Sequence, residues 1–189
     1  KRMGAVVKAF DVRRASKTEV ESLGAEFIEI DGAIENKNSG GYAVEQTQDY
    51  LDKIESVIHE EAIQADAIIT TAKIPGKQAP LLLKEYSVKQ MKPGSVIVDL
   101  AAETGGNCEL TKKDEIQVQH EVTLVGISSI ISRCSKSASI LISGNYFAFI
   151  SHFVANPNLA GKDEILNQTK VIEDGLLINQ KLVQLINQY

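Results

Sequence analysis

The sequence predicts a doubly wound α/β domain built on a parallel sheet. Three observations predict it. Short apolar, β-branched runs alternate with amphipathic helical segments from residue 5 to residue 153, the rhythm of successive strand–helix–strand units. Ser95-Val96-Ile97-Val98-Asp99-Leu100 is nearly continuous in apolar character, as is a strand in the middle of a parallel sheet. Asp11 ends the first apolar run, and open parallel sheets bind ligands beyond the C-terminal ends of their strands.

Asp11 also arrives early. In a dinucleotide-binding βαβ unit, a carboxylate at the tip of the second strand accepts hydrogen bonds from the ribose hydroxyls, about 20 residues after a Gly-rich phosphate loop. Here ten residues precede Asp11, and Gly4 is the only glycine among them. If Asp11 is that carboxylate, the first strand and the phosphate loop belong before residue 1. The expected fold is then a Rossmann-like doubly wound parallel sheet lacking its first strand and Gly-rich loop, plus a short return segment to a second domain. Taken alone, an Asp after a strand more often starts a turn.

Each element follows in order. Ala5-Val6-Val7-Lys8-Ala9-Phe10 reads as the first strand. Ser16-Lys17-Thr18-Glu19 fits a capping box, with Val20 and Leu23 at helical spacing and Gly24 ending the helix. Phe27-Ile28-Glu29-Ile30 is the next strand, and the polar residues 31–41 read as a mobile loop. A long helix is expected over residues 44–64, with Tyr50, Ile54, Val57, Ile58 and Ile63 as its inward stripe. Ala67-Ile68-Ile69-Thr70 reads as a buried strand, followed by a loop at Ile74-Pro75-Gly76 and a short helix near residues 84–91. After the strand at 95–100, residues 116–119 and 123–127 supply two more strands, and an apolar helix follows over about 137–153. Beyond Asn156-Pro157-Asn158 the texture changes: residues 170–178 read as a hairpin around Asp174-Gly175, and 182–186 as an amphipathic end. Residues 1–155 are expected to form the nucleotide-binding domain, and 156–189 the return to its neighbour.

Composition narrows the function classes. A hydrophobic fraction of 43% and a charged fraction of 24% are those of an ordinary globular protein. The net charge of -5, with no concentration of Lys and Arg, argues against nucleic acid as a partner. Cys108 and Cys134 stand far apart without metal-ligand spacing and read as reduced thiols. The N-terminal residues do not read as a signal peptide. Ile140 to Ala155, the most apolar stretch, carries Ser143, Asn145, Ser151 and His152 and reads as too short and polar to span a bilayer.

Four strand-end loops are where chemistry is expected. The first holds Asp11, Val12 and Arg13: a short carboxylate suits vicinal ribose hydroxyls, while a guanidinium stacks on adenine or pairs with a 2′-phosphate. The adjacent Arg13-Arg14 leaves NAD versus NADP open. Gly40-Gly41-Tyr42-Ala43 suits a loop that closes over a ligand, although Tyr42 starting the next helix is the blander alternative. Thr70-Thr71-Ala72-Lys73 offers backbone groups at the third strand end, and the loop after Leu100 offers Glu103. His59, His120 and His152 are scattered without a carboxylate or Cys nearby in sequence, and no nucleophile elbow or metalloprotease motif occurs. Such a chain suits a reaction whose chemistry belongs to a cofactor.

At these loops the sequence resembles one family. Ala9-Phe10-Asp11-Val12-Arg13, Gly40-Gly41-Tyr42-Ala43, Ile69-Thr70-Thr71-Ala72-Lys73-Ile74-Pro75-Gly76-Lys77, Met91-Lys92-Pro93-Gly94 and Gly105-Gly106-Asn107-Cys108-Glu109-Leu110-Thr111 are similar to the alpha subunit of proton-translocating NAD(P) transhydrogenase. The likeness is ordered from residue 1 to about 127 and weaker beyond; it departs from the family pattern at Gln46, Ile54, Lys73 and Ile131. It implies an NAD(H)-binding component that passes hydride from NADH to NADP+ held on a partner domain. Proton movement would go through a separate membrane domain, with no direct membrane insertion by this segment. It further implies a homodimer on the soluble face of an energy-transducing membrane. Its binding residues map onto Asp11, Val12 and Arg13 beside the adenosine, Gly41, Tyr42 and Ala43 in the closing loop, and Thr71, Ala72 and Lys73 near the nicotinamide half. Without the phosphate loop, residues 1–189 are expected to catalyse little alone. Alanine dehydrogenase, which shares the fold, is the alternative enzyme, with Glu103 in place of its catalytic Asp; a non-catalytic nucleotide-binding module is the third.

Overall fold

The computed structural model describes residues 1, 3–32, 47–74, 76–155, 163–179, 182, 183 and 186. The chain forms two compact units, Lys1–Ile130 and Ile131–Tyr189.

The first unit opens with β1 (Lys8–Ala9), α1 (Ser16–Ser22) and β2 (Glu26–Phe27). β1 and β2 are parallel, with the Val7 and Ala9 carbonyls accepting from the Glu26 and Ile28 amides. Regular pairing on this one side covers only two residues, so β1 is shorter than the apolar run that encodes it. The capping box does not form. Arg13 and Arg14 carbonyls already accept from the Ser16 and Lys17 amides, so the chain is wound before Ser16, and Ala15 takes the N-cap position without a side-chain bond.

α2 (Gln48–Ala62) is capped by Thr47, whose side chain accepts from the Tyr50 amide. Its stripe faces inward as the periodicity requires. Tyr50 and Ile54 pack with Ile30, Phe10, Val12 and Val57, while Ala62 and Ile58 join the main core. Glu61 near the helix end meets Lys8 of β1 at 2.7 Å, whereas Tyr50 and Ile54 near its start meet Phe10 and Val12 past the end of β1. The helix therefore runs antiparallel to β1 and turns directly into β3 (Ala67–Thr70). β1 and β3 thus point the same way.

β3, β4 (Val96–Asp99), β5 (Ile116–Gln119) and β6 (Val122–Val125) make a four-stranded sheet in the order β3-β4-β6-β5. β3, β4 and β6 are parallel and β5 is antiparallel, joined to β6 through His120 and Glu121, both left-handed. Two left-handed residues give the hairpin turn whose twist matches that of the strands. α3 (Glu85–Val88), Met91 and the segment around Cys108 cover one face, where Leu83, Val88, Ile97, Val122 and Leu124 are almost fully buried. β3 is not the buried strand its apolar composition suggests. Ile69 is 67% exposed, since Ile68 and Thr70 point to the covered face, Ala67 and Ile69 point away, and among the described residues β3 pairs with β4 alone.

Cys108 lies in this core, and burial pushes its thiol above the usual range, while Cys134 is exposed. The thiolate is the reactive form. An alkylating reagent at neutral pH should therefore modify Cys134 in the native protein and reach Cys108 only on denaturation, a pattern peptide mass mapping reads directly. Modification of both at equal rates would contradict it.

A short helix α4 (Ile130–Arg133) crosses the boundary between the units. The second unit carries α5 (Ser135–Ala155), α6 (Glu164–Thr169), β7 (Ile172–Glu173) and β8 (Leu176–Leu177). Asp163 caps α6 and accepts from the Leu166 amide, and it also meets His152 Nε2 at 2.7 Å. The expected hairpin forms antiparallel around left-handed Asp174 and Gly175. Of the expected amphipathic end, only 182, 183 and 186 are described. α5 begins five residues before the apolar stretch singled out in the sequence. At 21 residues it is long and apolar enough, by length and composition, to cross a membrane, which corrects the expectation that it is too short. A buried helix of a soluble protein has the same composition, so this property does not establish insertion.

Candidate functional site

The C-terminal ends of β1, β3 and β4 carry the residues that sequence singled out. Asp11 follows β1 and is held in place from below: Phe10 and Val12, on either side of it, pack against Ile30, Tyr50 and Ile54. Its Oδ1 accepts from the Arg13 amide at 2.8 Å and from Arg13 Nε at 2.9 Å, and its Oδ2 accepts from Arg13 Nη2 at 2.6 Å. The carboxylate thus closes the local turn that such residues commonly make and at the same time presents a charge. Burial pushes its pKa up, but hydrogen bonds from the Arg13 side chain and amide and from Ser16 outweigh it, so Asp11 sits below the usual carboxylate range. Arg13 is raised by the same carboxylate.

At the end of β3, Thr71 and Lys73 are exposed and Ala72 is half-buried. Thr70 Oγ1, just before them, is buried with no hydrogen-bond partner among the described residues. Gly41, Tyr42 and Ala43, the expected closing loop, lie outside the described residues.

The loop after β4 is built around the buried carboxylate of Asp99. Its Oδ1 accepts from the Ala101 amide at 2.9 Å. Its Oδ2 accepts from the Asn107 amide at 2.7 Å, the Cys108 amide at 3.1 Å and the Thr111 hydroxyl at 2.7 Å. Glu103 stands exposed on the 3-10 turn Ala102–Thr104 that this carboxylate organises. Asn107, fully buried, reaches across to the β3 end, where its Oδ1 accepts from the Ala72 amide at 3.0 Å and its Nδ2 donates to the Ala72 carbonyl at 2.9 Å. Sequence reasoning gives Asp99 and Asn107 no role of their own, only a place within longer motifs. The available signal was an acid closing an apolar strand, followed eight residues later by Asn in a Gly-Gly loop.

The histidines have partners that sequence proximity could not reveal. His59 Nδ1 meets Ser87 Oγ at 3.0 Å and its ring lies 4.9 Å from that of Tyr86, while His120 meets Glu85 at 3.1 Å. Among the described residues no group of three or more His, Cys, Asp or Glu could hold a metal ion. What the strand ends offer is one ionised carboxylate suited to vicinal hydroxyls and, on the same edge, exposed peptide groups. That donor set fits the two halves of a dinucleotide.

Comparison with known proteins agrees with this architecture. The family described as "Alanine dehydrogenase/PNT, C-terminal domain" matches residues 1–183. The first of the separately encoded portions of the NAD(P) transhydrogenase alpha subunit of Rhodospirillum rubrum is 42% identical over 188 residues, 96% of this chain and 49% of that protein. Its counterpart from Rickettsia prowazekii is 36% identical over 179 residues, 95% of this chain and 47% of that protein. Alanine dehydrogenase of Bacillus subtilis is 52% identical over 52 residues only, 28% of this chain and 14% of that protein. Among solved structures, transhydrogenase from Sinorhizobium meliloti superposes with a TM-score of 0.65 at 33% identity, covering 95% of this chain and 44% of that one. An L-alanine dehydrogenase with a TM-score of 0.62 at 21% identity shares the fold. The chain therefore spans about half the length of the curated relatives it matches. Its Rossmann-like sheet and a family match running through residues 1–183 place this chain in the alanine dehydrogenase/PNT C-terminal-domain family.

Proposed function

We propose that this chain is the NAD(H)-binding part of a proton-translocating NAD(P) transhydrogenase. Asp11 binds the adenosine ribose, and Val12 and Arg13 flank the adenosine. Gly41, Tyr42 and Ala43 close over the ligand, and the loop Thr71–Ala72–Lys73 meets the nicotinamide half. The observation that carries this reading is the ionised Asp11 carboxylate, seated at a parallel strand end on the same sheet edge as the exposed Thr71 and Lys73. When bound, the nicotinamide ring of NADH supplies the hydride. The protein's own part is to bind, orient and shield that ring opposite NADP+ on a partner domain, which needs proximity and not a protein acid or base. Residues 1–155 carry the dinucleotide half and 156–189 return to a neighbouring domain. The assembly is a homodimer whose NADP-binding and membrane domains lie on other segments, with this part on the soluble face of the membrane. No Gly-x-Gly-x-x-Gly occurs within residues 1–189, and these residues alone should transfer little hydride.

The local identity to an alanine dehydrogenase favours a second reading, an amino-acid oxidoreductase. Glu103, which would then act as the catalytic acid, is exposed on its turn, an environment with little to tune a catalytic carboxylate. One comparison separates the two. In the intact protein, NADH should bind, hydride should reach an NADP+ analogue only when the NADP-binding partner is present, and alanine should not reduce NAD+. Alanine oxidation, or no NADH binding at all, would overturn the assignment.

A further inference from the structure

Asn107 is fully buried in the first unit, and its side-chain hydrogen bonds converge on one peptide. Its side-chain amide pairs with Ala72 as a neighbouring strand would: Oδ1 accepts from the Ala72 amide at 3.0 Å and Nδ2 donates to the Ala72 carbonyl at 2.9 Å. The second Nδ2 proton goes to the Pro80 carbonyl at 2.7 Å. The orientation of the amide is fixed by these partners, since the flipped form would set NH2 against an N–H and oxygen against two carbonyls. Asn107 is itself anchored from both sides. Its own amide donates to Asp99 Oδ2, and its carbonyl accepts from the Leu82 and Leu83 amides at 2.8 and 2.9 Å. No other residue type has this geometry at this length. Asp lacks the donors, Ser and Ala cannot reach both peptide groups, and Gln is a methylene too long.

Both peptide groups of Ala72 are therefore engaged inside the protein. Of the three residues at the β3 end, only Thr71 and Lys73, both exposed, keep backbone groups for a ligand. We propose that Asn107 is a positioning residue of the dinucleotide site: by clamping the Ala72 peptide, it fixes the direction in which Thr71 and Lys73 present their backbone to the nicotinamide half. This rests on the NAD(H) reading above and assigns the loop a narrower role than three equivalent contacts. Ala72 is the fastening, and its two neighbours are the contact.

Substitution separates positioning from plain stability. In the intact protein, Asn107→Asp keeps the shape but turns two donors against the Ala72 and Pro80 carbonyls into acceptors, and Asn107→Ala removes the clamp. Val88→Ala, in the core away from these loops, serves as a control matched for loss of thermal stability. NADH affinity is read by ligand fluorescence, with ADP-ribose, which lacks the nicotinamide ring, as a second ligand. The expected result is a loss of NADH affinity of roughly tenfold or more in both Asn107 variants, with ADP-ribose affinity nearly unchanged and the Val88 variant binding both normally. Equal loss for NADH and ADP-ribose, or equal loss in the Val88 control, would overturn the positioning role and leave Asn107 a structural residue. Wild-type protein that binds neither ligand would instead overturn the NAD(H) reading itself. If neither Asn107 variant folds, exchange of the Ala72 amide in the wild type decides. The clamp requires that amide to be protected as strongly as the β4 amides and insensitive to NADH; fast exchange in the free protein overturns it.

Discussion

Asp11→Asn is expected to weaken NADH binding by about 2 to 3 kcal/mol, a roughly 30- to 150-fold rise in Kd, while thermal stability barely moves. The asymmetry follows from where the carboxylate sits. A hydrogen bond to a charged acceptor contributes about 1.5 to 3 kcal/mol, and a vicinal diol offers two donors. What Asp11 gives the fold is smaller. Its ion pair with Arg13 joins side chains 28% and 46% exposed, and such pairs contribute at most about 1 kcal/mol. The loop stays seated because Phe10 and Val12 remain packed on Ile30, Tyr50 and Ile54, and Asn still accepts the Arg13 amide. Arg13 holds both carboxylate oxygens in the free protein, so ribose must displace at least one guanidinium contact, which keeps the effect nearer to one diol than to two full charged bonds. The pH dependence has a defined sign. The folded pKa of Asp11 is depressed below its ordinary 3.8, so its contribution is complete above that value and is lost only as pH falls through the depressed one. Between pH 8 and 5, Asp11 should impose no slope on NADH affinity. Calorimetric titration of both variants checks this, and parallel losses of binding and melting temperature would mark Asp11 as a turn residue and nothing more.

Legibility divided along the range of the interactions involved. Wherever the deciding contact is local, sequence carried the answer. The β-branched runs are strands, Asp174-Gly175 turns a hairpin, and Tyr50, Ile54 and Ile58 face inward because they recur at helical spacing. Asp11 was legible for the same reason, since a strand end is a local feature. Ser16 shows how a local motif fails: the carbonyls of Arg13 and Arg14 had already begun the helix, so the capping serine arrived inside it. Ile69 shows the other failure, because apolar composition cannot say whether both faces of a strand are covered. Asn107 was beyond reach altogether. It acts on Ala72, 35 residues earlier in the chain, and nothing in the spacing of the two says they meet.

Gly106→Ala should be the most damaging single substitution in the first unit, lowering stability by about 3 to 5 kcal/mol. Gly106 has φ of +83°, and a Cβ there would lie 2.8 Å from Asp99 Oδ2 and 3.0 Å from Thr111 Cβ. The left-handed backbone alone costs an L-residue about 1 to 2 kcal/mol. The contact costs more, because the neighbour is not the loose end of a flexible chain. Asp99 is 1% exposed, and its Oδ2 holds Asn107, Cys108 and Thr111 together. Moving that oxygen strands buried donors at about 1 to 3 kcal/mol each. Against a total stability of about 5 to 15 kcal/mol for a typical domain, the loss is a large share. The damage should also travel in one direction. Asn107 takes its position from Asp99, and Ala72 takes its position from Asn107, so the β3 end loosens with the β4 loop. Gly94→Ala provides the comparison, since Gly94 has a similar φ of +82° but open space around the built Cβ. Urea denaturation of the two variants should show Gly94→Ala losing only the backbone cost. Faster amide exchange at Thr71 to Lys73 should appear in Gly106→Ala alone; equal losses in both would mean that backbone strain, and not the Asp99 network, holds the two strand-end loops together.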